Sequence, residues 1–324
     1  MSVGSPTVSL IMAVWNAERT LSTALDSVRA QTFTDWELIC VNDASTDGSL
    51  GILQQYAQSD ARIKVLSVPH GGCNAALNAG LDAAHGRFLG FIDNDDAMHP
   101  QALELAVGAM KDFDIVAWDY DSVPDSHFNE KTFAPIDGTM AASRISDYFT
   151  FGLDGRHVSY WCKLYRREVL DGRRFEDGIT YNDMCLFWLT VTILGLRAGI
   201  FPVSLYRYRE RNGSIIHSPW TEKRASDTVR TIRIIHGYAA ADATLRYRLQ
   251  KELFPAMVWS SYKISRREPD LRRSVREELA ELFADGIVFW RDIPLVRRVK
   301  MFLGLWGISG KPCKVCRLFL RIFL

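Results

Sequence analysis

Short, wholly buried-looking apolar runs alternate with amphipathic stretches along the opening third of the chain, and this alternation restricts the fold more than any other feature. Val8–Val14 is apolar, short and bounded by Pro6 and Asn16, so it reads as a buried strand. Ala17–Thr32 carries Leu21, Ala24, Leu25 and Val28 at helical spacing. Trp36–Val41 is a second strand running into Asn42–Asp43, and Asp47 caps a helix through Tyr56. Ile63–Val68 is a third strand, Gly71–Gly72 opens a helix through Ala84, and Arg87–Ile92 is a fourth strand running into Asp93–Asp96. Strands alternating with helices imply right-handed βαβ crossovers, hence an α/β fold with a mainly parallel central sheet flanked by helices. Ligands of such sheets collect beyond the carboxyl ends of the strands. The residues that terminate the strands are therefore the candidates for chemistry.

Those termini are acidic. Asp43, at the end of the second strand, can accept a hydrogen bond from a nucleobase imide N–H, or can cap a helix. Asp93, Asn94, Asp95 and Asp96 follow the fourth strand, and clustered hard oxygens suit Mg²⁺ or Mn²⁺, which keep positions open for diphosphate oxygens. A solvated turn is the bland reading of the same cluster. The turn after the first strand, Val14 to Glu18, lacks the glycines of a dinucleotide site, and no P-loop is present.

The middle of the chain is less regular. Asp114–Trp118, Val158–Arg166 and Leu205–Arg209 read as strands, and Asn182–Leu196 as a buried helix. Helical patterns dominate from Trp220, over 221–241, 244–265 and 270–290, ahead of an amphipathic end. The expected division is a domain over 1–217 and a helical region over 218–324.

Hydrophobic residues make up 48% and charged residues 24%, enough apolar material for a packed core. With 39 basic and 38 acidic residues the net charge is +1, which argues against nucleic acid as a partner. The charge is uneven. Residues 291–324 hold eight basic side chains (Arg291, Arg297, Arg298, Lys300, Lys311, Lys314, Arg317, Arg321) and one acid, Asp292, a net +7 that leaves −6 on the rest. Leu295, Phe302, Leu303 and Trp306 lie among them, a mixture expected to rest on an anionic membrane surface. Six cysteines do not make a disulfide scaffold, and Cys313-x-x-Cys316 has no second pair for zinc. His217 and the scattered tryptophans read as structural. The segment Met1–Thr7 has no leader pattern, and the apolar run Leu186–Leu196 falls short of the ~20 residues that span a bilayer. The expectation is a cytoplasmic protein, peripheral on the inner face of the membrane.

Four segments together resemble the inverting family 2 glycosyltransferases: VSLIMAVWNAERTLSTALDSVRAQTFTDWELICVNDASTDGS, HGGCNAALNAGLDAAHGRFLGFIDNDD, WCKLYRREVL and LYRYRERNGSI, in that order over about residues 7–217. The resemblance implies a GT-A (nucleotide-diphospho-sugar transferase) fold, with a nucleotide-sugar-binding half over about 1–115 and an acceptor half over about 116–217. It implies transfer from a UDP-sugar, assisted by Mg²⁺ or Mn²⁺, to a glycan or lipid-linked oligosaccharide of a bacterial surface polysaccharide. It assigns Asp43 to the nucleobase, and Ala13, Val14, Asn16 and Glu18 to the wall around base and ribose. Asp93–Asn94–Asp95 matches the DxD motif, with Asp93 nearer the ribose, Asn94 among the nucleotide-sugar-binding residues, and Asp95, with Asp93, on the metal. Asp183, after Asn182, matches the general base; family members carry Glu where Asn182 stands. Arg209 and Ser214 match a late motif that closes over the donor. Asn78 falls in a donor-binding stretch in which family members carry Arg where Leu77 stands; Arg87, Arg209 and Arg211 are the candidates to replace it. The departures at Asn182 and Leu77 keep open a noncatalytic nucleotide-sugar-binding homologue. A sugar nucleotidyltransferase lacks support, because its Gly-rich N-terminal loop is missing.

Overall fold

The first strand, β1 (Val8–Val14), is buried at every residue but Ala13, as a central parallel strand covered on both faces must be. It opens a computed structural model that describes residues 5–137, 140–153, 157–179, 183–193, 195–211, 221–255, 257–258, 277, 280–288 and 292. The chain divides into two compact units, Met1–His217 and Ser218–Leu324.

In the first unit, β1 is followed by α1 (Leu21–Arg29), β2 (Trp36–Asp43), α2 (Ser49–Ser59), β3 (Ile63–Val68), α3 (Cys73–Ala83) and β4 (Phe88–Phe91). Helix α1 buries Leu21, Ala24, Leu25 and Val28, the stripe its sequence spacing predicts. Next come β5 (Ala97–Met98), α4 (Ala102–Ala109), β6 (Ile115–Pro124), β7 (Ser143–Arg144), α5 (Tyr148–Leu153), β8 (Lys163–Arg166), α6 (Arg167–Leu170), α7 (Asp183–Val191) and β9 (Ala198–Glu210). Among the described residues the strands form one sheet in the order β3-β2-β1-β4-β8-β6-β9-β5, with β7 on β9. The pairs β1–β2, β2–β3, β1–β4 and β6–β9 are parallel, and β8 is inserted antiparallel between β4 and β6.

Helix α3 lies close on the sheet because of a glycine. A Cβ on Gly80 would stand 2.4 Å from Ile11 Cγ2 and 3.3 Å from Val41 Cγ2. The parallel crossovers bring the carboxyl ends of β1, β2 and β4 to one edge: Val14 pairs with Asn42, Asp43 with Val68, and the amide of Ile92 donates to the carbonyl of Ile11 at 3.1 Å.

Several elements differ from their sequence reading. The strand expected over 158–166 is confined to Lys163–Arg166, because Tyr160 and Trp161 leave the ladder to make side-chain contacts. Strand β6 runs on beyond 114–118 because its polar second half pairs with β9 from Tyr120↔Tyr206 to Pro124↔Glu210, and β9 starts at Ala198, ahead of 205–209, because Ala198–Phe201 pair with Ile115–Trp118. Asp47 sits one residue before the N-cap Gly48; its Oδ1 accepts from the Ser49 amide at 3.0 Å.

In the second unit, α8 (Glu222–Tyr238) buries Val229, Ile232 and Ile235, and α9 (Ala243–Arg248) begins at Asp242, whose Oδ1 accepts from the Leu245 amide at 2.9 Å. Among the described residues no helix is long and apolar enough to cross a membrane. The basic segment 291–324, apart from Asp292, lies outside the described residues, as do Cys313 and Cys316.

Candidate active site

Two left-handed residues shape the floor of the sheet edge. Asn16 has φ +49° and Ala44 has φ +53°, each turning the chain sharply after a strand. Asn16 is a residue type that tolerates this, and its side chain uses the turn: Oδ1 accepts from the Thr46 amide at 2.8 Å, and its own amide donates to Ser45 Oγ at 3.1 Å. Glu18 Oε2 accepts from the Gly48 amide at 2.8 Å. The carbonyl of Ala13 accepts from Asn94 Nδ2 at 2.8 Å. The loops after β1, β2 and β4 are thus hydrogen-bonded to one another, and Val14 is fully buried beneath them.

Asp43 is buried and anchors the start of α3. Its Oδ1 accepts from the Gly71 amide at 2.7 Å and its Oδ2 from the Gly72 amide at 2.9 Å, with His70 Nδ1 3.0 Å from Oδ2. Gly72, at φ +85°, holds the left-handed turn that aims both amides at the carboxylate. A carboxylate offers about four acceptor positions, so a further donor can still be met. Against His70 stacks Trp15, ring centroids 5.2 Å apart and 29° between planes, with 54% of Trp15 exposed. Trp36, Trp118 and Trp188 are buried, as structural tryptophans should be. Trp15 is not: its indole stands exposed against His70, next to Asp43.

The acidic run divides by environment. Asp93 Oδ1 accepts from the Tyr160 hydroxyl at 2.6 Å. Asp96 is wholly buried, accepting from the Arg209 amide and the Tyr206 hydroxyl, each at 2.8 Å. Burial, then the charges of Asp95 and Asp93, push its carboxyl well above the usual range. Asp96 therefore braces the cluster from inside. Asp95 turns its carboxylate outward, with Oδ2 2.6 Å from Arg211 Nε. Arg209 is buried behind it: Nε donates to the Asp95 carbonyl at 2.6 Å, Nη1 to Asp125 Oδ1 at 2.8 Å, and the guanidinium lies 3.6 Å over the Phe128 ring. The Arg209 hydrogen bond holds the Asp125 carboxyl below its usual range.

No three His, Cys, Asp or Glu side chains converge to hold a metal among the described residues. The donor set still suits Mg²⁺ or Mn²⁺, because such ions bind through one or two carboxylates plus substrate phosphates, and Asp95 Oδ2 already faces a cation.

Leu77 is buried, so α3 offers no guanidinium there. Asn78 spends its amide elsewhere: Oδ1 accepts from the Phe175 amide at 3.0 Å and Nδ2 donates to the Phe175 carbonyl at 2.8 Å. Asn74, one turn earlier, donates to the carbonyls of Glu176 and Ile179, each at 2.8 Å. Together they pin 175–179 along α3, with Ile179 held near the end of α3 that Asp43 anchors. Asp183 opens α7, four residues on, a span of at most ~14 Å. Asn182, Ser214 and His217 lie outside the described residues. Arg87 precedes β4 at the opposite end of the sheet, its guanidinium 5.2 Å over the Phe88 ring. A cavity of about 670 Å³ is lined among others by Asn16, Glu18, Arg19, Asp125, Glu210 and Arg211, and Arg211 is the residue that links it to Asp95, which does not itself line it.

The sequence profile described as Glycosyl transferase family 2 matches residues 9–173, just over half of the chain. The glycosyltransferase EpsJ of Bacillus subtilis is 30% identical over 226 residues, covering 66% of this chain and 64% of its own, so the chain spans less than two thirds of that relative. TuaG of Bacillus subtilis, named for teichuronic acid biosynthesis, is 39% identical over 249 residues, covering 76% of this chain and 96% of its own. Among solved structures, residues 1–349 of S. aureus TarS in complex with UDP-GlcNAc superpose with a TM-score of 0.70 at 18% identity, covering 93% of this chain and 88% of that one. A mostly parallel sheet with β8 inserted antiparallel between β4 and β6, acidic strand ends tied into one edge, and these matches lead to one assignment: the chain belongs to glycosyl transferase family 2 and has the GT-A fold.

Proposed function

We propose that this chain transfers a single sugar, a hexose or N-acetylhexosamine, from a UDP-sugar to a glycan or lipid-linked acceptor of a bacterial surface polysaccharide, with inversion at the anomeric carbon. The observation that carries the reading is the joining of Asp43, Asp93, Asp95 and the β1 loop into one hydrogen-bonded sheet edge. Support for the donor class comes from TarS, solved with UDP-GlcNAc, and for the acceptor class from TuaG, named for teichuronic acid biosynthesis.

The base lies against Trp15 and Asp43, and the ribose against the Ala13–Asn16 loop, Glu18 and Asp93–Asn94. Asp95, with Asp93 beside it, holds Mg²⁺ or Mn²⁺. The ion, when bound, offsets charge gathering on the departing diphosphate. Tyr160 holds the carboxylate of Asp93, and Arg209 holds the backbone of Asp95, so both residues are positioned before a donor arrives. Asp183 takes the proton of the acceptor hydroxyl as that oxygen attacks from the face opposite the diphosphate. Its support is sequence match and its place four residues beyond the pinned Ile179. The basic segment 291–324 holds the enzyme at an anionic membrane, where a lipid-linked acceptor resides.

The test is a panel of UDP- and GDP-sugars with Mn²⁺, scored for nucleotide release with and without lipid-linked acceptors. Release that depends on one donor and rises with acceptor is expected. Tight UDP binding with no release from any donor would replace transfer by the noncatalytic reading that Asn182 and Leu77 keep open.

A further inference from the structure

The geometry points to Arg211 as the cation that meets the donor's diphosphate in this chain, and to Asp95 as the site it must leave to do so. This rests on the donor site proposed above. A diphosphate needs positive charge beyond one divalent ion, and α3 supplies none, since Leu77 is buried. Of the guanidiniums that could answer, Arg87 stands at the far end of the sheet over Phe88. Arg209 is buried and committed to the Asp95 carbonyl, Asp125 and the Phe128 ring, so moving it would dismantle the wall that positions Asp95. Arg211 alone of the three is both near and free to move. It follows directly on the last residue of β9, its side chain is 46% exposed, and it lines the 670 Å³ cavity, so it can swing without repacking the core.

Its Nε lies 2.6 Å from Asp95 Oδ2, the oxygen a divalent ion would take. A guanidinium and a divalent cation repel each other, so each weakens the other's hold on that oxygen. Arrival of the metal with its diphosphate therefore releases Arg211 from Asp95 and offers it two new anionic groups a short swing away. The same residue then plays two opposed parts. It competes with a metal ion that comes alone, and it supports a metal ion that comes with a diphosphate. Such an arrangement favours binding of the ion and the donor together over either one first.

Calorimetry on the full chain separates these parts, using Mn²⁺ alone, and UDP or UMP in Mn²⁺. Arg211→Ala should lower UDP affinity about ten- to a hundredfold, the scale of a hydrogen bond to a charged group, while leaving UMP affinity in place. The same variant should bind Mn²⁺ alone more tightly than the unaltered chain, because Asp95 is freed. Arg211→Lys should restore part of the UDP affinity, and Arg211→Gln serves if the alanine variant does not fold. Unchanged UDP affinity, an equal loss for UDP and UMP, or Mn²⁺ affinity that does not rise would each overturn the assignment. Failure of the unaltered chain to bind any nucleoside diphosphate would instead overturn the donor site itself, and the role of Arg211 with it.

Discussion

Lys163 is wholly buried in β8, its Nζ 2.5 Å from the Ser159 carbonyl and 5.4 Å from the Phe187 ring, with no salt-bridge partner among the described residues. Burial pushes its ammonium down from 10.5 to about 8. Because the folded value lies below the unfolded one, the unfolded chain binds more protons between them, and stability rises with pH over that interval. The cost of burying the charge is complete below pH ~8 and recovered by pH ~10.5, on the order of 3 kcal/mol. Urea melts across that range should show a rise in the unaltered chain, and Lys163→Met should remove that component; a pH-independent difference between the two chains would contradict it. Trp15 is a second case in which one residue's environment sets its part. Stacking a base on an aromatic ring contributes ~1–3 kcal/mol, so Trp15→Ala should weaken UDP binding about tenfold while Trp15→Phe retains most of it. Calorimetric titration of UDP into the unaltered chain and both variants makes the comparison, and equal affinities in all three would remove the indole from the site.

Elements differ in how far their residues announce them. Strand β1 ends where its apolar run ends, because a parallel strand covered on both faces needs an unbroken run and turns mark its limits. The second half of β6 and the first half of β9 were hidden, because Asp119–Pro124 is polar and Ala198–Ser204 is broken by Gly199 and Pro202, and each is held as strand by pairing with the other element. Strand β5, two residues long, is too short to show a period. Asp43 and Asp93–Asp95 were legible as strand ends. The contacts of Arg211 with Asp95, and of Asn74 and Asn78 with 175–179, join residues remote in sequence, and no local pattern encodes them. The fit of α3 on the sheet carries its own prediction. Gly80→Ala drives a methyl into Ile11 Cγ2, and overpacking of this kind costs ~1–3 kcal/mol. Thermal melts should show the loss, and an unshifted midpoint would mean that α3 relaxes away from the sheet.

At the scale of the molecule, the site belongs to the unit Met1–His217, and the +7 segment belongs to the other. Each Lys or Arg near an anionic surface contributes ~1 kcal/mol that salt screens, while inserted Leu, Phe and Trp contribute ~25 cal/mol per Å² that salt does not. Vesicle binding of the full chain should weaken in high salt without vanishing, and a chain truncated after Trp290 should lose it while still binding UDP. Equal partitioning of both chains onto anionic vesicles would place the membrane contact elsewhere. The central claim is that the sheet edge is a metal-dependent nucleotide-sugar site. Its most direct test is a calorimetric titration of UDP into the full chain and into Asp95→Asn, each with Mn²⁺ and with EDTA. The unaltered chain should bind UDP tightly with Mn²⁺ and weakly with EDTA, and Asp95→Asn should bind weakly in both. UDP affinity that ignores both the metal and the substitution would contradict it.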